Sequence, residues 1–276
     1  MPVALILSSF VSASRIGGAA QQYVLAAHRI DPVLAPTVMF GRSPAMGGQG
    51  ETTAAPVLRR MLADIEADAM FGEVDLVITG HFSAVVQVEI AADLLERVRA
   101  GSPRRPTVVV DPIMGDAPKG LYVRPDVAAA VADRLVPLAD WITPNAWELA
   151  HLSGMAVEDA RSAAAAAASL GRPALVTSVP ARTDEIGILF WQAGEMILFA
   201  HPRLAQAPSG TGDLVTASFG AGLVEGLAPA AAAERAARAV AEAVQAAKAW
   251  RIADLPLVAI ADRLVRPTAE VRIERL

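Results

Sequence analysis

The run Pro208-Ser-Gly-Thr-Gly-Asp213 opens directly onto Leu214-Val-Thr-Ala-Ser-Phe-Gly-Ala-Gly-Leu-Val-Glu225, a glycine-rich turn feeding a helix. Such a junction gathers free backbone N–H groups and the positive end of the helix dipole at one point, which suits an anion. Asp213 is a poor ligand for phosphate but a suitable proton acceptor for a hydroxyl held beside it. A cradle for negative charge with a base at its mouth suggests phosphoryl transfer to an alcohol. The structural alternative uses the same residues, since Asp favours helix starts and Gly-Thr-Gly favours turns.

Three other constellations lie upstream. In Asp111-Pro-Ile-Met-Gly-Asp116, two carboxylates separated by Pro and Gly can converge from a strand end and a loop. That suits Mg²⁺, which keeps several waters and takes one or two protein carboxylates plus phosphate oxygens; an Asp before Pro is also a common turn former. In Thr143-Pro-Asn-Ala-Trp-Glu148, Asn145 and Glu148 have the spacing of a capping box. The same spacing sets Glu148 to hold metal-bound water and Asn145 a phosphate oxygen. Leu175-Val-Thr-Ser178 offers the hydroxyls of Thr177 and Ser178 to nucleotide phosphates, or simply a strand-forming Thr. The aperiodic segment Ala117–Val123, with Lys119 and Tyr122, is a candidate lid. No Walker A pattern and no Gly-x-Gly-x-x-Gly after the first strand is present, which disfavours P-loop NTPases and the usual dinucleotide enzymes.

These residues need strands and helices to position them. Strands are expected at Val3–Ser9, Pro32–Phe40, Asp75–Phe82, Thr107–Pro112, Trp141–Thr143 and Ala174–Ser178. Helical patterns fall at 17–29, 53–71, 84–100, 125–136 and 156–170. A hairpin of Ile186–Trp191 and Glu195–Ala200 follows, then helices at 213–225, 229–251 and 256–265. Apolar strands alternating with helices predict a doubly wound α/β fold with a mostly parallel sheet, in one domain over 1–276. In such sheets ligands sit beyond the carboxyl ends of the strands, where Ser8-Ser9, Asp111, Thr143, Asn145 and Thr177-Ser178 fall.

The chain of 276 residues is 54% hydrophobic, much of it alanine, with no run of about 20 apolar residues that would span a membrane. Its start lacks a basic signal-peptide region, so the cytoplasm is the expected compartment. Zero cysteines exclude disulfides and thiolate zinc sites, and a net charge of −5 gives no footprint for nucleic acid. His28, His81, His151 and His201 show no metal-ligand spacing, and Lys119 and Lys248 are the only lysines.

Taken in order, the Asp111–Asp116, Thr143–Glu148, Leu175–Ser178 and Gly210–Asp213 motifs resemble the ribokinase superfamily, and within it the pyridoxal kinases. Ser9-Phe-Val11 and Thr37-Val-Met-Phe40 extend the resemblance over nearly the whole chain. It implies ATP-dependent phosphorylation of the hydroxymethyl group of a pyridine vitamin. Asp213 would be the base, with the amides of Gly210, Thr211 and Gly212 stabilising the transferring phosphoryl group. Asp111, Asp116 and Glu148 would organise Mg²⁺. Asn145, Thr143, Thr177, Ser178 and Tyr122 would meet ATP. Ser9, Val38, Phe40 and His81 would meet the vitamin. The family also implies a homodimer and often a monovalent cation such as K⁺. The acceptor side departs from the family: Phe10 replaces the usual His, Gly41-Arg-Ser-Pro44 the usual Ser-Asn-His-Thr, Arg15-Ile-Gly17-Gly18 the usual Gly-Asn, and His81 a frequent Tyr. Hydroxymethylpyrimidine, a sugar, or binding of vitamin or nucleotide without turnover are the alternatives these departures leave open.

Overall fold

A computed structural model describes residues 1–68, 70–204 and 207–276. The chain begins β1 (Val3–Val11), α1 (Gly18–Ala27), β2 (Asp31–Phe40), β3 (Gly50–Thr52), α2 (Ala55–Ala67), β4 (Val74–Thr79), α3 (Val85–Gly101) and β5 (Thr107–Val110). A small hairpin of β6 (Gly115–Asp116) and β7 (Gly120–Leu121) precedes α4 (Pro125–Ala130), β8 (Trp141–Ile142), α5 (Ala146–Ser153) and α6 (Ala160–Leu170). Then come β9 (Ala174–Pro180), β10 (Glu185–Gln192), β11 (Glu195–Pro202), α7 (Thr211–Val224), α8 (Pro229–Trp250), α9 (Ala261–Val265) and β12 (Arg272–Arg275).

Among the described residues one sheet of ten strands runs β12-β11-β10-β9-β8-β5-β4-β1-β2-β3. Its centre, from β2 through β1, β4, β5 and β8 to β9, is parallel, and antiparallel strands close both edges. Period-two alternation sorts side chains to the two faces. Leu5 and Leu7 of β1 join Leu58, Leu62, Val88 and Leu95 under α2 and α3. Ala4 and Ile6 join Val24, Leu214, Phe219 and Val240 under α1, α7 and α8. Alanines form the buried stripe of α8, where small side chains bring it close to α7, and Ala163, Ala164, Ala166 and Ala167 are the buried face of α6. The α/β fold expected from sequence is the one observed.

Several boundaries differ from the sequence reading. The helix expected from 156 begins at Ala160, because Asp159 and Ser162 form a capping box there. The pattern at 125–136 is α-helical only through Ala130, then passes through a π turn (Val131–Leu135) and a 3₁₀ turn carrying Pro137. The last helix shrinks to Ala261–Val265. Edge strands β3 and β12 and the β6–β7 hairpin were not expected.

Helices α1 and α7 lie side by side and are joined where both end: His28 Nδ1 meets Glu225 Oε1 at 2.8 Å, and Arg235 pairs with the same carboxylate. Phe219, fully buried, meets the Trp141 ring edge-on with centroids 4.9 Å apart. Phe219→Ala therefore empties the seam between α7 and the sheet, and is expected to lower the unfolding free energy by about 3–5 kcal/mol. Urea titration checks this; a loss under about 1 kcal/mol would mean that the seam collapses to fill the space.

Candidate active site

The cradle at the start of α7 forms as expected. Gly210 caps the helix at φ +90°, and a Cβ there would stand 2.1 Å from the Arg15 carbonyl oxygen. Only glycine lets this turn close on the segment after β1. The first intrahelical bond runs from the Leu214 N–H to the Gly210 carbonyl, which leaves the Thr211 and Gly212 amides outside the helical ladder.

Asp213 sits in this first turn, 5% exposed. Its Oδ2 accepts the Gly17 N–H at 2.8 Å, and its Oδ1 is buried with no partner among the described residues. Burial pushes the carboxyl up to about 6, against the pull of the Gly17 amide and its own. Gly17 makes this bond from φ +62° and ψ −147°, a conformation only glycine adopts freely, with its α-carbon hydrogens against Ser9: a Cβ would lie 2.3 Å from Ser9 Oγ. Ser9 is thereby placed beside the residue that holds Asp213.

The acid cluster joins one strand end to the first turns of two helices, α5 and α7. Asp111, just past β5, is raised well above the carboxylate range by burial and by the charges of Glu148 and Asp213. Thr216, one turn beyond Asp213 on α7, donates to Asp111 Oδ2 at 3.0 Å and lies 2.8 Å from Thr143 Oγ1. Because Thr216 gives its proton to Asp111, the Thr143 hydroxyl is the donor in that second bond. Glu148 is held by backbone amides: Oε1 accepts from Met114 and Gly115, and Oε2 from Asn145. Burial nevertheless pushes it up to about 7. The capping box of Asn145 and Glu148 is present, and Asn145 Nδ2 spends one proton on the Gly115 carbonyl.

Asp116 stands apart from Asp111. It is exposed, and its Oδ1 accepts the Ala117 N–H, though its charge still acts on Glu148. Among the described residues no group of three His, Cys, Asp or Glu side chains is placed to hold a metal ion by itself, and none of Asp111, Glu148 or Asp213 forms an ion pair. Buried acidic oxygens without a counter-charge fit a hydrated divalent cation that draws its remaining ligands from water and phosphate.

Thr177 and Ser178 form a bulge in β9, where the register to β10 shifts and Ser178 takes φ +59°. Thr177 donates its N–H to the Pro144 carbonyl and so lies beside Asn145. Tyr122 is half-exposed and directly follows the β6–β7 hairpin, whose second strand lies in the aperiodic lid segment, within reach of the charges of Glu148 and Asp111. On the opposite side, Val38 is buried in β2 and Phe40 packs its ring on Gly50. His81 follows β4, with its N–H 3.4 Å from Ser8 Oγ; burial holds the imidazole down at about 4, neutral at physiological pH. A cleft of about 290 Å³ is lined by Phe10, Arg15, Gln22 and Tyr23, beside the segment that carries Gly17.

Three contributors were missed in the sequence. Thr216 carries a usable signal, being three residues after Asp213 and so on the same helix face. Gly17 acts through a backbone amide, which no residue type announces. Gln87 is treated below.

The sequence model of the phosphomethylpyrimidine kinase family matches residues 49–256. A pyridoxine/pyridoxal/pyridoxamine kinase from Bordetella avium is 31% identical over 256 residues, covering 90% of this chain and 85% of its own. A pyridoxal kinase PdxY from Corynebacterium diphtheriae is 26% identical, covering 99% of each chain. The pyridoxal kinase of Leishmania donovani in complex with ADP and pyridoxine superposes with a TM-score of 0.92 at 22% identity, covering 99% of each chain.

Gly17→Ala forces a methyl group into Ser9 and draws the amide away from Asp213. Loss of a donor to the charged form must raise the Asp213 pKa above about 6, with a destabilisation of about 1–3 kcal/mol. A ¹³C-carboxyl titration reads the shift, and an unmoved Asp213 resonance would remove Gly17 from its role.

Proposed function

The chain belongs to the phosphomethylpyrimidine kinase family, in the ribokinase-like superfamily, and is an ATP-dependent phosphotransferase; we infer that its acceptor is the hydroxymethyl group of pyridoxal or another form of vitamin B6. The observation that carries this reading is Asp213: a buried carboxylate with one oxygen fixed by the Gly17 amide and the other free, at the positive end of α7.

In this reading Asp213 Oδ1 accepts the proton of the acceptor hydroxyl as its oxygen bonds the terminal phosphorus of ATP and the bond to ADP breaks. The amides of Gly210, Thr211 and Gly212 face the negative charge on the phosphoryl oxygens. Asp111 and Glu148 would hold Mg²⁺, with Asp116 reaching it through water; bound there, Mg²⁺ neutralises charge on the phosphate oxygens. Thr216 and Thr143 keep Asp111 turned toward that place. Thr177, Ser178 and Asn145 line the ATP side with Thr143, and Tyr122 covers it. Ser9, Val38, Phe40 and neutral His81 line the acceptor side. The chain is read as one kinase domain acting in the cytoplasm as a homodimer.

A second acceptor, hydroxymethylpyrimidine, is favoured by one local feature. Pro44 opens a 3₁₀ turn (Pro44–Met46) and offers no side-chain donor where pyridoxal kinases carry a threonine. A protein that only binds these ligands has no use for an unpaired buried base, so turnover is the better reading.

Phosphorylation of pyridoxal, pyridoxine, pyridoxamine, hydroxymethylpyrimidine and sugars with ATP, followed by ADP release, tests the acceptor. A preference for sugars would refute the vitamin reading. Asp213→Asn should lower kcat by about 10²–10⁴-fold while ADP affinity by calorimetry stays the same; near-normal turnover removes the base from the mechanism. Asp213 must be ionised to accept a proton, so kcat/KM should fall as pH drops through about 6. A limb near the ordinary carboxylate value of about 4 would place the essential base elsewhere.

A further inference from the structure

Gln87, in the first turn of α3, is 1% exposed. Its amide bonds the backbone of three separate segments. Nε2 donates to the Thr37 carbonyl of β2 at 2.7 Å and to the Thr53 carbonyl between β3 and α2 at 2.9 Å. Oε1 accepts the Ser83 N–H between β4 and α3 at 3.0 Å. A glutamine at this helix position commonly caps the preceding turn, which accounts for the Ser83 bond alone. It does not account for an amide nitrogen that donates to two carbonyls at the β2–β3 edge of the sheet.

The same segments are stitched further around it. Thr37 Oγ1 donates to the His81 carbonyl at 2.5 Å, Thr53 Oγ1 to the Pro36 carbonyl at 2.7 Å, and the Thr53 N–H to the Thr37 carbonyl at 2.9 Å. His81 in turn touches Ser8, next to Ser9. Val38 therefore follows directly on one residue that Gln87 holds, with Phe40 two positions beyond it, and His81 precedes another by two positions. Both donor protons of the amide are used, so its orientation is fixed.

We propose that Gln87 is a positioning residue for the acceptor pocket: its amide sets the separation between the Val38–Phe40 wall and His81, and thereby which ring is accepted. This rests on the acceptor reading given above, and no contact between Gln87 and the acceptor is needed. Gln87→Glu keeps the volume and the Ser83 bond but turns a carboxylate oxygen on two carbonyls. Gln87→Met removes all three bonds. Gln87→Asn keeps the groups on a shorter stem and guards against a misfolded set.

In each variant that retains a cooperative thermal melt, the acceptor KM should rise about tenfold or more. The kcat/KM ratio between pyridoxal and hydroxymethylpyrimidine should shift by about fivefold, while the KM for ATP and the pH limb near 6 stay within about twofold. Asparagine should give the smallest change in the same direction. An unchanged acceptor KM, or acceptor and ATP KM rising together at a constant acceptor ratio, overturns the proposal. A wild-type protein inactive on both heteroaromatic acceptors overturns the acceptor reading beneath it, whereas variants indistinguishable from an active wild type overturn the role of Gln87 alone.

Discussion

The whole site turns on keeping a carboxylate both buried and ionisable. Desolvation alone drives Asp213 toward its neutral form, and two neighbouring acids add to the difficulty at Asp111. The fold answers with dipoles instead of cations: the start of α7, the Gly17 amide and the Asp213 amide itself. A guanidinium or ammonium would ionise Asp213 more fully but make it a weaker proton acceptor, and would fill the space at the start of α7. The elements around α7 follow from this choice. Gly210 must lack a side chain so that α7 can approach the loop after β1, and Gly17 must lack one so that its amide can turn inward past Ser9.

The second level is the acid cluster, where hydroxyls and amides do for Asp111 and Glu148 what they do for the base. Glu148 takes three backbone N–H groups, which explains why a residue that caps α5 can also sit within electrostatic reach of Asp111. Capping and charge placement are the same geometry here, since the carboxylate that closes the start of α5 also acts on Asp111.

How much of this was legible depended on whether the information sat in residue types or in backbone positions. The central strands were readable because both faces are covered, so runs such as Thr107-Val-Val-Val have no polar interruption. Strands β3 and β12 were not, because Gly-Glu-Thr and Arg-Ile-Glu-Arg at the sheet edges meet solvent and look like loop. Asp213, Glu148 and Asp111 were found through motifs. Asp116 was grouped with Asp111 on spacing, yet Pro112 and the start of the β6–β7 hairpin carry it outward to Ala117. In the sequence Gly17 stands out only as a departure from a familiar pattern; its amide is a tertiary fact, created when the loop meets α7. Gln87 reads as an ordinary helix-start residue until Thr37 and Thr53 are brought beside it.

The bond between Gly17 and Asp213 spans 196 positions of the chain. During synthesis the loop after β1 leaves the ribosome long before α7 exists, and the parallel sheet between them must assemble first. Contacts of such long sequence separation form late and slowly. The Asp213 carboxylate thus gains its partner only when nearly the entire polypeptide has been made and packed. A fragment ending before residue 213 contains every strand but β12, yet lacks both the carboxylate and the helices α7 and α8, which with α1 cover one face of the sheet.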